Sequence, residues 1–114
     1  MDDFKRQKER SVAVLKQLAK QVQEREPDTW MYLCHTPDFT QPSLPTPSEN
    51  DIIFFEIYKN ESAFYAHVKG KTFTEFVKKH GHLFLQSNGK PFVVLEILTR
   101  LGGFVRTAQF QKSR

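Results

Sequence analysis

Residues 51–70 read DIIFFEIYKNESAFYAHVKG, and the change of period within them decides the fold. From Asp51 to Lys59 the side chains alternate. Ile52, Phe54, Glu56 and Tyr58 fall on one side, and Ile53, Phe55 and Ile57 on the other. Such an aromatic and β-branched run reads as a strand. Both sides are largely apolar, so the strand is predicted to be central and covered on both faces. Beyond Asn60 the period lengthens: Ala63, Phe64, His67 and Val68 recur at helical spacing. Asn60 is the predicted N-cap, because its side-chain oxygen can accept from a free N–H of the first turn. Gly70 breaks or bends the helix, and Phe73, Phe76, Val77 and His80 resume the same stripe.

Upstream, residues 4–26 carry Val12, Leu15, Leu18, Ala19 and Val22 at three- and four-residue intervals, with charged residues and glutamine between them. That is an amphipathic helix. Pro27 ends it, since the residue before a proline avoids the α region. DTWMYLCH (28–35) alternates again and reads as a strand, with Trp30, Tyr32 and Cys34 on one side and Met31, Leu33 and His35 on the other. Residues 36–50 hold four of the six prolines and are predicted to be a flexible surface loop. Downstream, GHLFLQSNGKP (81–91) is rich in turn residues, and PFVVLEILTRL (91–101) reads as a third strand. Gly102 and Gly103 lead into a short extra segment and a C-terminal tail at 107–114.

The chain therefore reads as one domain over residues 1–114, of class α+β. Its order of helix, strand, strand, helix, strand is ferredoxin-like with the first strand missing. An antiparallel sheet with two helices on one face needs a cover for the other face. No third layer is present in the sequence, so a second copy of the sheet is the expected cover and a homodimer is predicted.

Composition narrows the function. The formal charge is +4, but residues 27–58 carry five acids and no Lys or Arg. Elsewhere the basic residues are interspersed with acids on solvated helix faces, a pattern that argues against nucleic acid. The one cysteine, Cys34, cannot form an internal disulfide and lacks the companions of a zinc motif. His35, His80 and His82 have no metal-ligand spacing, so no metal site is expected. No apolar run approaches the ~20 residues that span a bilayer, and the first 25 residues are charged throughout, unlike a signal peptide. A cytoplasmic protein is the expectation. Eleven phenylalanines supply an apolar core or an aromatic-lined pocket.

EPDTWMYLCH (26–35), FFEIYKNESAFYAHVKGKTFTEF (54–76) and GGFVR (102–106) together resemble the antibiotic biosynthesis monooxygenase domain family, most closely its small fungal-type members. The resemblance covers roughly residues 10–106. It implies a dimeric α+β barrel of βαββαβ protomers, here without the family's first strand. It further implies a pocket between sheet and helices, and oxygenation of electron-rich aromatics with no metal, flavin or other cofactor. The absent first strand is one departure from the family, and the residue before Phe73 is a second. Thr72 occupies the place of the usual histidine before Phe73. In the polyketide-oxidising branch the strand asparagine falls on Phe54, the tryptophan on Tyr58, the tyrosine on Phe64 and the arginine on Lys78, and none of the four matches. In the haem-degrading branch the helix tryptophan falls on His67 and the haem ligand on Val77, so haem degradation is not expected.

His67 is the leading catalytic candidate, because a neutral imidazole can move a proton at a phenol or enol. Glu56 and Tyr58, on the strand beneath, are the expected orienting carboxylate and hydrogen-bond donor. Trp30, Tyr32, Phe54, Phe64, Phe73 and Phe76 are the predicted walls of a pocket for a flat aromatic substrate. The expected activity is a cofactor-independent monooxygenase acting on an aromatic, phenolic or polyketide-type small molecule of secondary metabolism. A non-redox isomerase, cyclase or decarboxylase, or a silent ligand-binding barrel, are the alternatives. Aromatic rings at these spacings also suit plain core packing, and His67 also suits a packed structural role.

Overall fold

The computed structural model describes residues 2–84, 86–87, 90–91 and 93–107. Helix α1 (Asp2–Arg25) leads into strand β1 (Thr29–His35), and β2 (Ile53–Tyr58) returns antiparallel to it. Helices α2 (Glu61–Lys69) and α3 (Lys71–His80) follow, then a 3₁₀ turn at Gly81–Leu83 and a small ribbon of β3 (Gln86–Ser87) and β4 (Lys90–Pro91). The chain is α+β: helices pack on one face of a two-stranded antiparallel sheet.

Local chemistry accounts for most boundaries. The α1 stripe buries Leu15, Leu18 and Val22 where the helix meets β1 and α3. The α1 ladder continues through Glu26 N to Val22 O at 2.9 Å and stops at Pro27. Asn60 caps α2 as expected, its Oδ1 accepting from the Ala63 N–H at 2.9 Å. Gly70 separates α2 from α3 with an extended backbone (φ −75°, ψ 164°). A Cβ there would collide with the Ala66 carbonyl, so glycine is required by close approach and not by a positive φ. The break turns α3 away from α2, so that it packs on α1.

In the sheet, Tyr32 lies opposite Glu56, Cys34 opposite Phe54 and His35 opposite Ile53. Register shifts between Thr29 and Met31, which leaves Trp30 without a cross-strand partner. Residues 36–50 form no helix or strand. Their turns are local, with Asp38 accepting from the Thr40 N–H at 2.9 Å and the Thr40 hydroxyl at 2.6 Å. Those two donors hold the exposed Asp38 carboxyl below the ordinary carboxylate range.

Two expectations are corrected. Strand β2 is not central: among the described residues it pairs with β1 alone, and Ile53, Phe55 and Glu56 are exposed. Residues 93–101, expected as a third strand, adopt no strand, and Val93, Val94, Leu95, Ile97, Leu98 and Leu101 are all exposed. A strand exists only where a neighbour satisfies its backbone groups. This segment joins neither edge of the β1–β2 pair. Nor do residues 104–106, after Gly103, replace the missing strand. The tail at 108–114 lies outside the described residues.

Candidate functional site

The site grows from the meeting of three elements: the C-terminal end of α1, the middle of β1–β2, and α2. His67 is carried on the buried stripe of α2 and is 3% exposed. Its Nδ1 lies 2.7 Å from Oε1 of Glu26, the residue just past α1. An ionised carboxylate only accepts, so Nδ1 carries a proton and donates to it; in a neutral ring the lone pair then lies on Nε2. Glu26 Oε1 also accepts from the Thr29 hydroxyl at 3.0 Å. Glu26 is therefore held both by α2 and by the first residue of β1. A carboxylate at the negative end of a helix is disfavoured by about 0.3–1 kcal/mol. Here the His67 and Thr29 donors offset that cost.

Rings enclose the imidazole. Tyr32 of β1 lies 5.2 Å from it between centroids, Phe73 of α3 5.3 Å, and Tyr58 of β2 5.7 Å. Phe54 packs on Tyr32 at 5.3 Å and Phe64 on Tyr58 at 5.4 Å. Five of the predicted aromatic residues thus form one cluster around His67. The other two do not join it. Trp30, at the register shift, is 62% exposed. Phe76 packs instead with His80 at 5.5 Å and Phe84 at 5.9 Å.

The expected Glu56–His67 pairing is not formed. Glu56 accepts from the Tyr58 hydroxyl at 2.5 Å, and Glu26 takes the place at His67. Glu26 is the residue that sequence reasoning missed. Its signal was available: an acid in the last position before a helix-ending proline, where the helix dipole favours a cation.

Burial, and secondarily the charges of Glu56, Cys34 and Glu26, push the Tyr32 phenol far above its ordinary value of 10.0. Tyr58 is pushed up by burial, then by its hydrogen bond to Glu56. Burial also raises the Cys34 thiol, which keeps it protonated and unreactive. Neither tyrosine is a base near neutrality. A consequence is measurable above pH 10. There the unfolded chain loses the Tyr32 proton while the native chain keeps it, so the unfolded state binds fewer protons and stability falls as pH rises. Each such group contributes a slope of about 1.4 kcal/mol per pH unit. Tyr32→Phe is expected to leave native tyrosinate absorbance near pH 10 unchanged and to flatten the alkaline loss of stability. A drop in native absorbance change at pH 10 in the variant would show Tyr32 to be solvated.

His67 also forms part of the wall of an open cleft of about 850 Å³ between the α1–β1 turn and the α2–α3 break. Glu26, Asp28, Thr29, Asn60, Lys71 and Thr72 line it with polar groups. None of the six residues predicted as pocket walls lines this cleft. The aromatic cluster stands behind His67, and the cleft in front of it mixes these polar groups with Pro27, Ala63 and Ala66. Among the described residues no three His, Cys, Asp or Glu side chains are grouped to hold a metal ion. Among the same residues no helix is long and apolar enough to cross a membrane.

Fold and site together define a small α+β protein with an oriented Glu–His pair at the wall of a cleft. Comparison with protein-family models, curated proteins and solved structures yields no match.

Proposed function

We propose that this protein is a cofactor-independent monooxygenase-type enzyme of the cytoplasm, acting as a homodimer on an aromatic, phenolic or polyketide-type small molecule. The single observation that supports this reading most is the Glu26–His67 pair, backed by Tyr32, Tyr58 and Phe73 and opening on the cleft. Glu26 orients the ring through Nδ1, so Nε2 is the base. It removes a proton from an activated methylene of the substrate, and the resulting carbanion reduces O₂ directly. The methylene and O₂ give a carbonyl and water, so no external reductant is needed. The resemblance to the antibiotic biosynthesis monooxygenase domain, whose dimeric barrel would place a pocket at these residues, supports the same class.

The test is oxygen uptake by metal-stripped protein with an anthrone-type substrate. Uptake of one O₂ per substrate is the expected result. Turnover that is unaffected by anaerobiosis would replace the oxygenase with a non-redox isomerase, cyclase or decarboxylase using the same base. The deep burial of His67 favours a second reading, in which the pair fastens α1 to α2 and the protein only binds ligand. That reading requires ligand affinity to survive His67→Ala with no turnover in either protein.

A further inference from the structure

Among the described residues two surfaces of this chain lack partners, and they are complementary. The first is the face of β1–β2 opposite the helices. There Ile53 is exposed, Phe55 is 55% exposed, and Met31, Leu33, His35 and Ile57 are only half-buried. Each strand of that pair also keeps a free edge among the described residues. The second is the segment at 93–105. It is free of helix and strand, and it exposes Val93, Val94, Leu95, Ile97, Leu98, Leu101, Phe104 and Val105. Monomeric proteins rarely leave so many contiguous large apolar side chains in water.

We propose that 93–101 of one copy adds as a strand to a free edge of the β1–β2 pair of a second copy, and the reverse, in a two-fold exchange. The occupant is argued from three features. Its two sides differ: Val93, Leu95, Ile97, Thr99 and Leu101 fall on one, and Val94, Glu96, Leu98 and Arg100, which include both of its charges, on the other. As a strand it extends a partner's apolar face and turns its charges to solvent. Its nine residues match the seven of β1 and six of β2 in length. Charge does not oppose the pairing: Glu96 and Arg100 of the arm cancel, and Arg106 beyond it brings a cation toward residues 27–58, which carry acids and no Lys or Arg. Arm and face together supply roughly twenty residues a side, the size of a standard interface. One contact, repeated by symmetry, closes the assembly and leaves no arm free to propagate.

The inference rests on the homodimer of the proposed function, not on its chemistry. Its test is the mass of the full chain by light scattering, alone and as variants. Ile97 is 73% exposed in the single chain, so Ile97→Asp removes little within it. The expected result is a wild-type dimer, and an increase of at least ~100-fold in its dissociation constant for Ile97→Asp, because a charge would be buried unpaired. Phe55→Asp, on the receiving face, is expected to do the same with unchanged helical circular dichroism. Equal amounts of the two variants are expected to recover a heterodimer, since one arm and one face remain intact. Leu98→Asp, on the charged side of the arm, is expected to dimerise normally. A dimer indifferent to Ile97→Asp would overturn the exchange and leave the homodimer standing. A monomeric wild type at micromolar concentration would overturn both and leave the Glu26–His67 chemistry to its own test.

Discussion

Replacing His67 by alanine is expected to lower turnover by at least ~100-fold and to reduce stability by about 2–4 kcal/mol. The two losses have separate origins. Turnover falls because the proposed base is removed, and both neighbouring phenols, held protonated, do not replace it. Stability falls because Glu26 loses its 2.7 Å donor, and because a gap opens between Tyr32, Tyr58 and Phe73. The cost stays below that of a fully buried broken pair, since Glu26 is 18% exposed and keeps the Thr29 hydroxyl. Glu26→Gln separates the effects. It retains an acceptor for Thr29 but weakens the orientation of the ring, so kcat is expected to fall more than stability. A double-mutant cycle over Glu26 and His67 is expected to give a coupling of roughly 1–3 kcal/mol. Additive effects would mean that the two side chains do not act as a pair.

Leu18→Ala is the second large effect. Leu18 is 2% exposed on α1, where that helix packs on β1 and α3. Truncating such a residue costs about 2–5 kcal/mol, the transfer energy plus the cavity left behind. For a domain of this size that is a fall in Tm of roughly 8–20 °C. The effect is large relative to the whole, because small domains have only about 5–15 kcal/mol in reserve. Among the described residues the buried apolar side chains are few: Leu15, Leu18, Val22, Ala63 and Leu83. Thermal unfolding by circular dichroism measures the shift. A change of less than about 0.5 kcal/mol is what a surface substitution gives, and would show α1 not to be docked.

The features legible in the sequence were local ones. The period of α1, the alternation of β1 and β2, the Asn60 cap and the Gly70 break each depend on residues within a few positions of one another, and each is found where expected. Position alone also brought His67 to the sheet beside Tyr58. What escaped was long-range. Glu26 and His67 are 41 residues apart, and no periodicity connects a helix end to the middle of a later helix. Trp30 was assigned a face by alternation, but the register shift at Thr29–Met31 breaks the alternation there. Phe76 continues the stripe of Phe73 by count, yet the break at Gly70 sets α3 on its own course, and Phe76 meets His80 and Phe84. Residues 93–101 have the composition of a strand, but alternation supplies no partner, and pairing is what makes a strand.

The central claim is that Glu26 holds His67 with the proton on Nδ1 and the lone pair on Nε2. Long-range proton–nitrogen correlation spectra of the ring, recorded on uniformly nitrogen-labelled protein, report which nitrogen carries the proton. The account predicts the Nδ1–H form for His67 in the wild type, and its loss or mixing in Glu26→Gln. An Nε2–H ring that is indifferent to Glu26→Gln would contradict it, for the nitrogen assigned as the base would then already hold a proton.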